Sequence, residues 1–285
     1  MNRKLTAAAV MVAAISVLAA SCTLPSPASG TWKVKPVSVE VIDQEDFDAG
    51  DEPYVIQVGF RSKLGVPNSA DAFVVSQCNS GAFPMPDPNS NIGTPGTVVP
   101  VGGADITFPE AKNLDIGDVL LETAALEIFG TMSFVMERDV LIGTCAWTET
   151  INAVLPGILR DSLNLLIGQS PIPPTEQQLI DLIVGLLDDF LAVIPGAIAI
   201  TVEGVGASPD DLLGTAIQIH LPTAGTFTSL LDLGLNLAGL DNGILDLEEL
   251  PGNVVFRIGK LLPSSASMPM EGPGYSLIYN SAVGT

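Results

Sequence analysis

The chain is poor in basic residues, with 11 Lys and Arg against 32 Asp and Glu and a net charge of −21. Phosphate recognition needs clustered cations, so this balance argues against a nucleic-acid partner. There is one histidine, His220, which excludes metal centres built from several imidazoles. A Ser-His-Asp triad would have to use it, and neither a G-x-S-x-G elbow nor a phosphate-binding glycine loop accompanies it. Trp32 and Trp147 are the only tryptophans, so platforms for sugar stacking are few. What the chain has in quantity is apolar surface. At 47% apolar and 15% charged over 285 residues it excludes a disordered chain.

Arg3 and Lys4 open the sequence, and an apolar run from Leu5 to Ala20 follows. This is the layout of a secretory signal peptide over residues 1–21, and it is too short for a membrane span. The run Leu18-Ala19-Ala20-Ser21-Cys22 resembles a bacterial lipobox, which implies cleavage before Cys22 and a lipid anchor on its thiol. Ordinary cleavage near Ala20 or Gly30 is the other reading. Three cysteines in an exported chain leave one over. With Cys22 lipidated, Cys78 and Cys145 remain as a disulfide pair. It would close a loop of roughly 70 residues, worth up to about 4 kcal/mol through the unfolded chain. Two buried free thiols are the alternative. Trp147, close to Cys145, is expected to pack against that bridge. Residues 22–30, rich in Pro and Ser, read as a flexible tether.

From residue 31 to 285 the pattern is that of one β domain with a helical insertion. Val37, Val39 and Val41 alternate with Ser38 and Glu40, which predicts a strand with the three valines on one face. Further strands are expected at Tyr54–Phe60, Ala72–Gln77, Thr97–Val101, Leu126–Val135, Ala197–Val202, Thr215–Leu221, Val254–Ile258 and Tyr275–Tyr279. The proline-rich stretch 81–96 reads as a long loop, and Thr228–Leu240 as a helix. Residues Ile151–Ile167 are leucine-rich at helical spacing. A second helix opens at Thr175 with a capping box to Gln178 and carries a stripe from Leu179 to Ile194. Together they form a helical hairpin over about 150–195, set into an antiparallel β-sandwich. His220 shares a strand face with Ala216 and Gln218, opposite Ile217, Ile219 and Leu221, and reads as a surface histidine.

The stretch Asp43 to Val55 reads D-Q-E-D-F-D-A-G-D-E-P-Y-V and packs five carboxylates between Glu45 and Glu52. A hard cation such as calcium takes several carboxylate and carbonyl oxygens at about 2.4 Å. Without a cation or water such crowding is repulsive, and a solvated acidic loop is the plain alternative. A second stretch runs from Ile200-Thr201-Val202-Glu203 to D-D-L-L-G at Asp210–Gly214. In this order, with strands on either side, the two stretches resemble the calcium- and phospholipid-binding C-two domain. That family has an aspartate-bearing loop before a D-P-Y-V-type strand start, here Glu52-Pro53-Tyr54-Val55, and later a D-x-D loop before a D-D-F-I-G-type turn. The resemblance covers about a quarter of the chain after the signal peptide. It implies one calcium site from Asp46, Asp48, Glu52, Glu203 and Asp211. Val205 stands where the family has a further aspartate, so two-metal binding is not implied.

The expectation is therefore an exported protein, held to the outer side of the cell membrane by lipid at Cys22 or secreted. Its C-two-like β-sandwich would be a non-enzymatic binding or scaffold module, stabilised by calcium and meeting an envelope or protein partner. A secreted hydrolase using acidic-loop carboxylates is one alternative. A structural domain that meets its partner through the apolar hairpin is another.

Overall fold

A computed structural model describes residues 29–43, 52–63, 65–80, 86, 92–112, 127–138, 146–169, 212–221, 244–245, 254–260, 263–272 and 275–285. Strand β1 (Ser29–Asp43) organises the first sheet. Its first half buries even positions, Trp32 and Val34, with Lys33 and Lys35 outward. A register irregularity then falls between Pro36 and Ser38, and beyond it the odd positions Val39 and Val41 are buried. One extra residue inverts a period of two. Val37, that extra residue, is 47% exposed, which corrects the expectation that it shares a face with Val39 and Val41.

Along one edge β1 pairs with β11 (Tyr275–Gly284), which pairs in turn with β10 (Ser264–Gly272). The other edge is shared: Ser29–Val34 pair with β5 (Ile106–Lys112), and Ser38–Val41 pair with β4 (Thr97–Pro100). All these pairings are antiparallel.

The second sheet runs β3 (Asp71–Ser76), β2 (Pro53–Lys63), β6 (Glu127–Glu137), β7 (Leu212–Leu221), β9 (Val254–Lys260) and β8 (Ile244–Leu245). Its pairs are antiparallel except β7 with β9, which is parallel. Every residue of β6 is buried. That follows from its central place in a sheet covered on both faces.

One face is covered by helix α2 (Ala146–Leu163), which continues into a π-helical turn over Asn164–Gly168; a short α1 (Gln77–Ser80) follows β3. Ile151, Leu155, Leu159, Leu163 and Ile167 recur every fourth residue and form the buried stripe of α2. They pack on Tyr54, Ile56, Met132, Phe134, Ile217 and Phe256 of the sheet. The other face meets the first sheet in two apolar clusters. One gathers Val39, Val55, Val135, Met268, Leu277 and Tyr279, and the other gathers Trp32, Ile106, Phe108 and Phe129.

Two glycines permit close approach between layers. A Cβ on Gly59 would lie 2.6 Å from Ile106 Cγ2, so Ile106 of the first sheet seats directly on the β2 backbone. Opposite Phe60, Gly130 leaves room for the phenyl ring to lie across β6 on the α2 side.

Among the described residues the chain is thus mainly β, with two sheets and one long helix. The strand at Ala197–Val202, the helix at Thr228–Leu240 and the second helix of the hairpin lie outside the described residues. Strands β5, β8 and β10 were not foreseen. Pro109 and the left-handed Glu110 interrupt the pattern of β5, and β10 carries a proline among serines.

Candidate functional site

The two acidic stretches lead into strands that flank the same end of β6. Residues 44–51 run into β2, whose Pro53 lies opposite Glu137. Residues 201–211 run into β7, whose Leu212 lies opposite Met136. The Arg138 backbone N–H donates to the Glu52 carbonyl at 3.3 Å and ties this end together. The Arg138 guanidinium donates to the Pro86 carbonyl.

Of the five residues expected to hold calcium, Glu52 is described. It is 2% exposed, at the position before β2. Asp46, Asp48, Glu203 and Asp211 lie outside the described residues, as does Val205. Glu137, a second buried carboxylate, was not foreseen. By strand alternation Glu137 continues the inter-sheet row of Ser133 and Val135, whereas Glu52 continues the α2-side row of Tyr54 and Ile56. Among the described residues no three His, Cys, Asp or Glu side chains gather as a metal cage. All the expected ligands are carboxylates, a donor set that suits a hard cation.

Cys22 and Cys145 lie outside the described residues. Cys78, in α1, is disulfide-bonded. Beside it, Ser76 Oγ accepts from the Cys78 N–H at 3.1 Å and from the Thr148 hydroxyl at 2.9 Å, which pins the start of α2 to the end of β3. Trp147 joins the core beneath α2. The apolar stripe of α2 is buried on the sheet, and Leu165 in the π-helical turn that follows is exposed. Among the described residues no helix is long and apolar enough to cross a membrane.

A second polar region lies between the two apolar clusters of the inter-sheet core. The row on β2 reads Val55, Gln57, Gly59; the facing row on β6 reads Val135, Ser133, Thr131; on β7 it reads Ala216, Gln218, His220. Gln57 Nε2 donates to Ser133 Oγ at 2.8 Å and, across the sheets, to Tyr279 OH at 3.0 Å. The Tyr279 hydroxyl donates in turn to Ser133 Oγ at 3.2 Å. Gln218 Nε2 donates to Ser281 Oγ at 2.8 Å, a second bridge between the sheets. Burial pushes Tyr279 up to about 12, although the Ser133 and Gln57 hydrogen bonds pull the other way and the Asp105 charge adds to the rise.

His220 belongs to this interior row and is only 5% exposed, which corrects its reading as a surface residue. Its face was right, but the face is covered by the first sheet. Burial, and secondarily the Arg257 charge, lower its pKa to about 4, so the imidazole is neutral at pH 7. At the far end of the same face Arg61 Nε meets Glu127 Oε1 at 2.6 Å, and the guanidinium carbon lies 5.2 Å from the Phe129 ring centroid.

Sequence reasoning did not single out Gln57, Thr131, Ser133 or Tyr279. The available signal was polar residues at alternate positions of otherwise apolar strands, as in Y-V-I-Q-V-G-F and T-A-I-Q-I-H-L. Such rows read as solvent-facing until a second sheet is known to cover them. Compared with protein-family models, curated proteins and solved structures, the chain matches none.

Proposed function

We propose that the chain is an exported cell-envelope protein, lipidated at Cys22, with a non-enzymatic C-two-like β-sandwich stabilised by one calcium ion at its acidic end. The disulfide of this reading joins Cys78 to Cys145. The observation that carries it is that β2 and β7, the strands each acidic stretch precedes in sequence, both begin beside the end of β6, with Glu52 buried just before β2. Calcium accepts an all-oxygen ligand set of the kind that Glu52 and the two acidic stretches offer. Lipid at Cys22 accounts for localisation without headgroup binding, which the strongly negative charge opposes. A partner would then meet the exposed end of the module.

The test is a calorimetric calcium titration of a soluble form beginning at Thr23. The expected dissociation constant is about 10⁻⁴–10⁻³ M, the range of extracellular modules, weakened about tenfold or more by Glu52→Gln. Absence of any saturable heat up to about 10 mM, an order of magnitude beyond that range, would remove calcium from the account.

A further inference from the structure

The inter-sheet polar row holds three fully enclosed polar atoms without a hydrogen-bond partner: Gln57 Oε1, Thr131 Oγ1 and His220 Nε2. Gln57 and Thr131 are fully buried, and His220 nearly so. The nearby serine hydroxyls act as acceptors for other groups. Ser133 Oγ accepts from Gln57 and Tyr279, and Ser281 Oγ accepts from Gln218. Natural cores leave very few such atoms unpaired, because each one gives up its hydrogen bonds to solvent for nothing.

The three atoms lie in one line across the sheet. Gln57 pairs with Ser133, Thr131 with Gln218, and His220 with Phe129, so each step along the line is a diagonal between neighbouring strands. A diagonal step spans about 7–8 Å between backbones, within reach of two hydrogen bonds of about 2.9 Å through one intervening atom once side chains extend. We propose that this seam is a buried binding site for a short chain of neutral hydrogen-bonding guests, ordered water, bridging Gln57 to Thr131 and Thr131 to His220. An apolar guest would leave all three atoms unpaired. An ion would be stripped of solvent among neutral amides and hydroxyls. The guest must donate to the Gln57 carbonyl oxygen, and water does so while still serving the Thr131 hydroxyl and the imidazole. A small hydroxylated molecule shares this chemistry.

The full chain, freed of polyols by dialysis, is crystallised to better than about 1.8 Å, and the Thr131 methyl group is probed for magnetisation exchange with water. The proposal expects separate water peaks within hydrogen-bond reach of the three atoms and a water cross-peak at Thr131. Continuous density that survives dialysis would show a hydroxylated molecule of the same chemistry in the same seam. A dry seam, with the three atoms repartnered among protein groups, overturns the proposal. Thr131→Val separates the cases independently. With its water bridge lost, melting falls by about 2–4 °C, whereas removing an unpaired hydroxyl raises it. Thr131→Ser keeps the hydroxyl and is expected to retain the crystallographic water peaks.

Discussion

Gln57 of β2 and Tyr279 of β11 join the two sheets through a 3.0 Å hydrogen bond in the middle of the core. Both also bind Ser133 of β6, so one triangle links three strands and both layers. Apolar clusters lie on either side. The polar triangle therefore fixes the registration of sheets that apolar contacts alone would allow to slide.

Tyr279→Phe removes the hydroxyl and leaves Gln57 with one of its two bonds. The expected loss is about 1–3 kcal/mol, read from chemical denaturation. Absorbance titration is expected to show a tyrosine step near pH 12, and the same titration of Tyr279→Phe is expected to lose that step.

His220 makes the fold sensitive to acid. Its pKa falls from 6.5 to about 4 on folding, so between those values the unfolded chain binds more protons. Stability contributed by the neutral imidazole is full above pH 6.5 and is lost as pH falls toward 4. The whole step is worth roughly 3 kcal/mol. Denaturation midpoints from pH 7.5 to 4 are expected to drop steeply for the native chain and less for His220→Gln. Parallel profiles would show that other groups carry the acid sensitivity.

Two glycines are expected to respond in opposite directions to alanine. Gly130→Ala drives a Cβ into the Phe60 ring and is expected to cost about 1–3 kcal/mol by overpacking. Gly157 lies inside α2 with nothing near its would-be Cβ. Gly157→Ala is expected to add about 0.5–1 kcal/mol by restricting the unfolded chain. Thermal melts of the two variants read the contrast directly.

Most of the described strands were legible from alternation, and α2 from its four-residue apolar spacing. The errors share a physical origin. Period two assigns residues to faces but says nothing of what covers a face. Gln218 and His220 were placed on one side correctly, yet that side is interior because the first sheet lies over it. Val37 was misplaced because a bulge is invisible to a strict period. β10 escaped notice since an edge strand buries one face only, and Ser265, Ser267 and Pro269 occupy the other. At the acidic end the sequence named Glu52 through its family resemblance. Glu137 stands far from either acidic stretch in sequence and becomes its neighbour only through the β2–β6 pairing.

The most direct test of the calcium-linked reading is the melting temperature of the soluble form beginning at Thr23, in millimolar calcium and then in chelator. At ten times the dissociation constant, binding to the native state adds about 1.4 kcal/mol, a rise of roughly 2–4 °C. The account predicts that rise, and predicts that Asp46→Ala and Asp211→Ala each abolish it, since the site draws on both acidic stretches. Identical melting with calcium and with chelator would contradict it.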